Sequence, residues 1–174
     1  MVTFVWVTRM TAHVKPVPEG YHTATPVLTV DNGVAALEFY VKAFSAKKRP
    51  GVSTMEGKVM HAEFQIGDSV FMLSDEFPGM GNRSPKTLGG TTGGLWLYVP
   101  NADEIFRQAV AAGATVVSPP TDMFWGDRFC QVRDPFGHVW SIATHQEDVP
   151  LAEMERRSKE FYAQMRAAPP RGSR

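Results

Sequence analysis

The chain of 174 residues has one cysteine, no charge excess and no long apolar run, and each shortage removes a class of protein. A lone Cys130 rules out a disulfide within the chain and any zinc cluster built on several thiolates. Lys and Arg together number 18, as do Asp and Glu, so no basic surplus points to nucleic acid or an anionic membrane. The most apolar opening run, Phe4-Val5-Trp6-Val7, is too short for a spanning helix or a secretory core segment. A cytoplasmic location is therefore expected, with no nucleic-acid or membrane partner. With 43% hydrophobic and 21% charged residues, the composition is that of an ordinary globule with one good core.

What the chain does have is an internal repeat, its two copies about seventy residues apart. Leu28-Thr29-Val30-Asp31-Asn32, a helical stretch to Phe44 and a later Ile66-Gly67-Asp68-Ser69-Val70-Phe71-Met72-Leu73 form the first copy. Leu97-Tyr98-Val99-Pro100-Asn101, a helical stretch to Ala112 and Phe136-Gly137-His138-Val139-Trp140-Ser141-Ile142-Ala143 form the second. Two copies fit an internally duplicated domain, because a solenoid needs at least three. Alternation and β-branched residues predict a first strand over 21–30, with Asp31 or Asn32 as N-cap. Further strands are predicted over 47–53, 59–66 and 69–74, with turns at Glu56-Gly57 and Gly67-Asp68. The second copy reads as a strand over 95–99, a helix over 102–112 and strands over 115–118, 128–133 and 138–144. Around these modules, 21–76 and 94–148, lie an N-terminal arm over 1–20, a Gly/Pro linker over 77–93 and a C-terminal amphipathic helix and tail over 149–174. The linker reads as too glycine-rich for an element of its own, and as either a lid or a crossover.

Two β-α-β-β-β units, the second closing on Arg133-Asp134-Pro135-Phe136-Gly137-His138, resemble the vicinal-oxygen-chelate superfamily of glyoxalases, extradiol dioxygenases and bleomycin-resistance proteins. Val59-Met60-His61-Ala62-Glu63-Phe64, Met72-Leu73-Ser74-Asp75-Glu76-Phe77-Pro78 and Asp122-Met123-Phe124-Trp125-Gly126-Asp127-Arg128 look like its PhnB-like branch. The resemblance implies an α+β fold, a U-shaped mixed sheet around a cavity, frequent homodimerisation and often a divalent metal at the cavity base. Metal-dependent members carry ligands at positions that, counted in this chain, fall on Thr25, Phe71, Gly94 and Ser141. None is His, Asp or Glu, so neither metal nor cofactor is expected.

Strand parity nominates the cavity lining. If positions 25, 71, 94 and 141 face inward, so do Thr23, Val27, Leu73, Trp96, Tyr98, Val139, Ala143 and His145. On the strand over 59–66, Met60, Ala62, Phe64 and Ile66 suit a helix-facing layer, which turns His61, Glu63 and Gln65 inward with Gln131 and Arg133 as counterparts. His61 and Glu63, side by side on one strand face, suit a general base with an orienting carboxylate, or a hydrogen-bonded polar pair. Trp125 and Asp127 on a glycine-containing loop suit stacking and orientation of a planar ligand, or a plug in the core. Trp140 and Phe64 are expected under helices, and Cys130 as an inert buried thiol.

Three functions remain open on this reading. One is a binder of a small molecule, for sequestration or sensing, through Phe71, Trp96, Tyr98, Trp125, Asp127, Ser141 and His145. A second is a metal-independent lyase, isomerase or hydrolase using His61 and Glu63. The last is a glyoxalase- or dioxygenase-like metalloenzyme with a relocated site at His61, Glu63 and His145.

Overall fold

The computed structural model describes residues 14–77 and 79–167. The first thirteen residues of the expected arm with His13, Pro78 of the linker, and the tail with Pro169-Pro170 lie outside the described residues. The first module comprises β1 (Val27–Val30), α1 (Gly33–Phe44), β2 (Lys47–Lys48), β3 (Ser53–Met55), β4 (Lys58–Ile66) and β5 (Ser69–Asp75). After α2 (Pro85–Leu88), the second comprises β6 (Gly94–Tyr98), α3 (Ala102–Ala111), β7 (Thr115–Asp122), β8 (Asp127–Arg133) and β9 (Val139–His145). A helix α4 (Leu151–Ala167) closes the described chain.

Each module forms one mixed sheet, ordered β1-β5-β4-β2 with β3 also on β4, and β6-β9-β8-β7. Within each, the first and last strands run parallel: Leu28 pairs with Leu73, and Leu97 with Ile142. The duplication extends to the caps. Asn32 accepts from the Ala35 N–H at 3.0 Å and Asn101 from the Glu104 N–H at 3.1 Å, each satisfying a free donor of the helix it starts. Buried Asp75 accepts from the N–H groups of Gly33 (2.6 Å) and Val59 (2.7 Å). At the equivalent place, the Thr144 hydroxyl accepts from the Ala102 N–H at 2.7 Å.

Several boundaries differ from the sequence reading. The first strand starts at Val27, because Pro26 has no N–H to donate to the ladder. The strand expected over 47–53 splits at Pro50-Gly51 into two short pieces. β7 runs on to Asp122 through Pro119-Pro120, which an edge strand tolerates. The linker contains the short α2, capped by Ser84 accepting from the Thr87 N–H at 3.2 Å, with Pro85 buried. No helix among the described residues is long and apolar enough to cross a membrane.

The helix-facing sides of both sheets share one core. Tyr40 of α1 stacks on Phe64 of the first sheet (4.8 Å) and lies 5.3 Å from Trp140 of the second. Phe71 and Trp140, one from each sheet, approach to 5.8 Å. Their meeting point is Asp134, 3% exposed, which accepts from Tyr40 Oη and Trp140 Nε1, both at 2.9 Å. Its other oxygen accepts from the N–H groups of Phe136 and His138, also at 2.9 Å. With the helix-facing sides sharing this core, the opposite faces are left exposed, at Val27 on the first sheet and at Trp96 and Tyr98 on the second.

This packing corrects two placements. Phe71 is 3% exposed and stacks on Phe64 at 5.0 Å, so Phe71 and Leu73 belong to the core layer and not to the open face. The first module turns after Gly67 with a two-residue loop, Ile66 pairing Ser69, whereas Arg133 pairs Val139 across a five-residue loop. Counting from the glycine therefore slips by one, which reverses a strand face. Met72, paired to Val27 as Ser141 is to Trp96, holds the equivalent position. Trp140, Phe64 and Cys130 are fully buried, as expected, and burial pushes the Cys130 thiol up to about 11.

Candidate functional site

The open face of the second sheet carries a continuous aromatic surface. Alternation brings Trp96 and Tyr98 of β6, Phe129 and Gln131 of β8, and Ser141, Ala143 and His145 of β9 to one side. Trp96 stacks on Phe129 at 5.0 Å and lies 6.0 Å from Tyr98, while Trp125 meets Phe129 edge-on at 5.8 Å. Trp96 is 47% and Tyr98 65% exposed, so the rings present their surfaces rather than packing inside. Gln131 donates to the Ser141 hydroxyl at 3.0 Å.

At one end of this surface sits Asp127, 2% exposed. Oδ2 accepts from Trp125 Nε1 at 2.9 Å and Tyr98 Oη at 3.1 Å, and Oδ1 pairs with His145 Nδ1 at 2.8 Å. Three partners satisfy a carboxylate that would otherwise be costly to bury. They also fix both aromatic rings. His145 Nε2 reaches Asp148 at 3.0 Å, so both ring nitrogens face carboxylates. The Asp127 contact, then that of Asp148, raises the His145 pKa above its ordinary 6.5. Burial, then Asp127, likewise raises that of Tyr98. The sequence named Trp125 with Asp127 on a loop, and Tyr98 and His145 by strand parity, and the fold brings the two pairs together.

A raised folded-state pKa means that the imidazolium form is favoured on folding, so this contribution is complete below pH 6.5 and is lost as pH rises through the folded value. NMR titration is expected to place the His145 midpoint above 6.5, and Asp127→Asn or Asp148→Asn to lower it. A midpoint unmoved by both substitutions would remove the two-carboxylate clamp.

The first sheet holds the other expected pair. His61 and Glu63 lie on the open face of β4, with Nε2 3.1 Å from Oε1. Glu63 also accepts from Tyr21 Oη at 2.5 Å and pairs with Arg49 Nε at 3.1 Å. The Tyr21 hydrogen bond, followed by those of His61 and the charge of Arg49, holds its carboxyl below the usual range. Glu63 is thus suited to orienting a neighbour more than to taking a proton. The segment before β1 pins this cluster, with Arg49 over the Tyr21 ring at 4.8 Å. Neither Tyr21 nor Arg49 carries a signal in the sequence. Phe129 did, since the alternation that selects Gln131 selects it too.

Thr25 and Gly94 meet in a pocket of about 250 Å³ at the seam between the modules, lined also by His22 and Trp96. As a cradle for a divalent ion the family positions do not fit. Thr25 offers one hydroxyl, Gly94 no side-chain donor and Met72 a thioether, and the Ser141 hydroxyl is held by Gln131. Among the described residues, no group of three His, Cys, Asp or Glu side chains is arranged to hold a metal ion. His61 and Glu63 pair with each other on β4, while His145 pairs with Asp127 and Asp148.

Comparison with known proteins agrees with this architecture. A protein of Mycobacterium tuberculosis, itself uncharacterized, is 42% identical over 134 residues, covering 75% of this chain and 79% of that one. A gene product of Arabidopsis thaliana with a solved structure is 28% identical, with a TM-score of 0.58 over 71% of this chain and 98% of that one. A PhnB protein of Bacillus cereus shares the fold at 18% identity, with a TM-score of 0.55 over 71% of this chain and 99% of that one. The family model for the Glyoxalase/Bleomycin resistance protein/Dioxygenase superfamily matches residues 21–142, and the chain belongs to that superfamily, with a PhnB-like fold.

Proposed function

We propose that the protein binds a small planar molecule on the aromatic face of the second sheet, without the family's usual metal, in a cavity completed by a second copy of the chain. The observation that carries this reading is the Trp96–Phe129–Trp125 surface, open to solvent and anchored by the buried Asp127. Exposed aromatic faces beside a few fixed polar groups are the usual make-up of a ligand site. The homodimer follows from the outward-looking faces. Val27, Trp96 and Tyr98 are all exposed on them in one chain. A two-fold partner would set the His61–Glu63 face of one copy against the aromatic face of the other. Cytoplasmic sequestration or sensing of the ligand is the role that goes with this arrangement.

In a panel of planar aromatic compounds titrated into chelator-treated protein, at least one is expected to bind to a species of dimeric mass by light scattering. Trp96→Ala and Trp125→Ala should each weaken it by about 1 kcal/mol or more, roughly fivefold. A monomer that binds none, or one metal ion held tightly per chain, would sink the reading. A second reading rests on the 3.1 Å His61–Glu63 contact: a metal-independent lyase, isomerase or hydrolase with His61 as base and Glu63 orienting it. In that case His61→Gln leaves affinity nearly intact and removes on the order of a hundredfold of turnover.

A further inference from the structure

Beyond the end of β5 lies a half-open pocket of about 490 Å³ lined by Lys58, Glu76, Phe77, Asn82, Arg83 and Thr87, among others. Its charges are unbalanced. The Glu76 carboxylate is occupied by the Ser84 N–H at 2.7 Å and the Thr87 hydroxyl at 2.6 Å. These hydrogen bonds, Ser84 first, hold its pKa below the usual range. Lys58 donates to the Glu76 backbone carbonyl at 3.1 Å and sits 5.5 Å over the Phe77 ring, while Arg83 reaches only the Thr87 carbonyl at 3.4 Å. Neither cation belongs to an ion pair among the described residues.

We propose that this pocket binds a small organic anion: a carboxylate or phosphate held by Lys58 and Arg83, on an apolar body that lies against Phe77. Two cations outside any ion pair among the described residues and an aromatic wall define a ligand with those two parts. The site is independent of the aromatic face.

Calorimetric titration of the full chain with phenylacetate and with the uncharged phenylacetamide tests it. Phenylacetate is expected to bind saturably with one site per chain, and phenylacetamide not to bind. Lys58→Gln is expected to weaken binding about tenfold, the effect of removing one charge-assisted contact. Arg83→Glu, an exposed position where the fold should be unaffected, is expected to abolish it. Trp96→Ala should change nothing here, which separates this pocket from the sheet face. Absence of saturable binding, binding indifferent to Arg83→Glu, or binding removed by Trp96→Ala would each overturn the proposal.

Discussion

Asp134→Ala is expected to cost about 3–5 kcal/mol of unfolding free energy, since it strips four donors, three of them buried, of their acceptor at once. Tyr40 Oη and Trp140 Nε1 lie in the core with no water to replace the carboxylate, and the N–H groups of Phe136 and His138 lose the partner that shapes their turn. Asp134→Asn is the informative control. One amide oxygen preserves two of the four bonds, but the amide nitrogen is itself a donor and opposes the indole N–H, so about half the loss should remain. Denaturant midpoints at neutral pH measure both. The same hub has an alkaline signature. Burial, then the charge of Asp134, raises the Tyr40 phenol well above its ordinary 10.0. Stability tied to that proton is complete below pH 10 and falls as pH rises beyond it, because the unfolded chain gives the proton up first. Wild-type alkaline denaturation that Tyr40→Phe leaves unchanged would contradict this.

Gly126→Ala is expected to damage both stability and the aromatic face. Gly126 has φ +96°, a conformation that side chains rarely adopt, and an added Cβ would overlap the Glu147 carbonyl. Its own carbonyl accepts from the Gln146 and Glu147 N–H groups at 2.9 and 3.0 Å, tying the loop to the end of β9. Strain and overlap together should cost about 2–4 kcal/mol. The local effect is larger than that figure conveys, because Trp125 and Asp127 flank the glycine. The indole N–H resonance of Trp125, bonded to Asp127 at 2.9 Å, should shift or vanish in a variant that still folds. An unchanged resonance and an unchanged melting temperature would mean that the loop adapts freely.

Much of this was legible in the amino-acid string, and the misses have specific causes. The duplication, both helices, the burial of Trp140, Phe64 and Cys130, and the shared sheet face of Trp96, Tyr98, Ser141 and His145 follow from periodicity, which the pleat and the helix pitch impose locally. Phe71 and Leu73 were misplaced because parity had to be carried across a turn, and the two turns differ in length. The split at Pro50-Gly51 and the helix at Pro85–Leu88 were missed for a different reason: the first is a break inside a plausible strand, the second a capped turn inside a glycine-rich stretch. The Asp127 cluster and the Tyr21–Glu63 bond join residues 29 and 42 positions apart. No local pattern encodes such pairs. The sequence supplied the members, and the register of the strands decided which of them would meet.

The way Tyr40 is held between Phe64 and Trp140 bears on how this chain comes apart. A duplication ordinarily leaves two half-domains, each able to fold alone and later to be shuffled. Here the aromatic filling of one half is completed by rings from the other, so neither half retains a finished interior when the linker is cut. The two halves are therefore expected to melt together, as one cooperative unit.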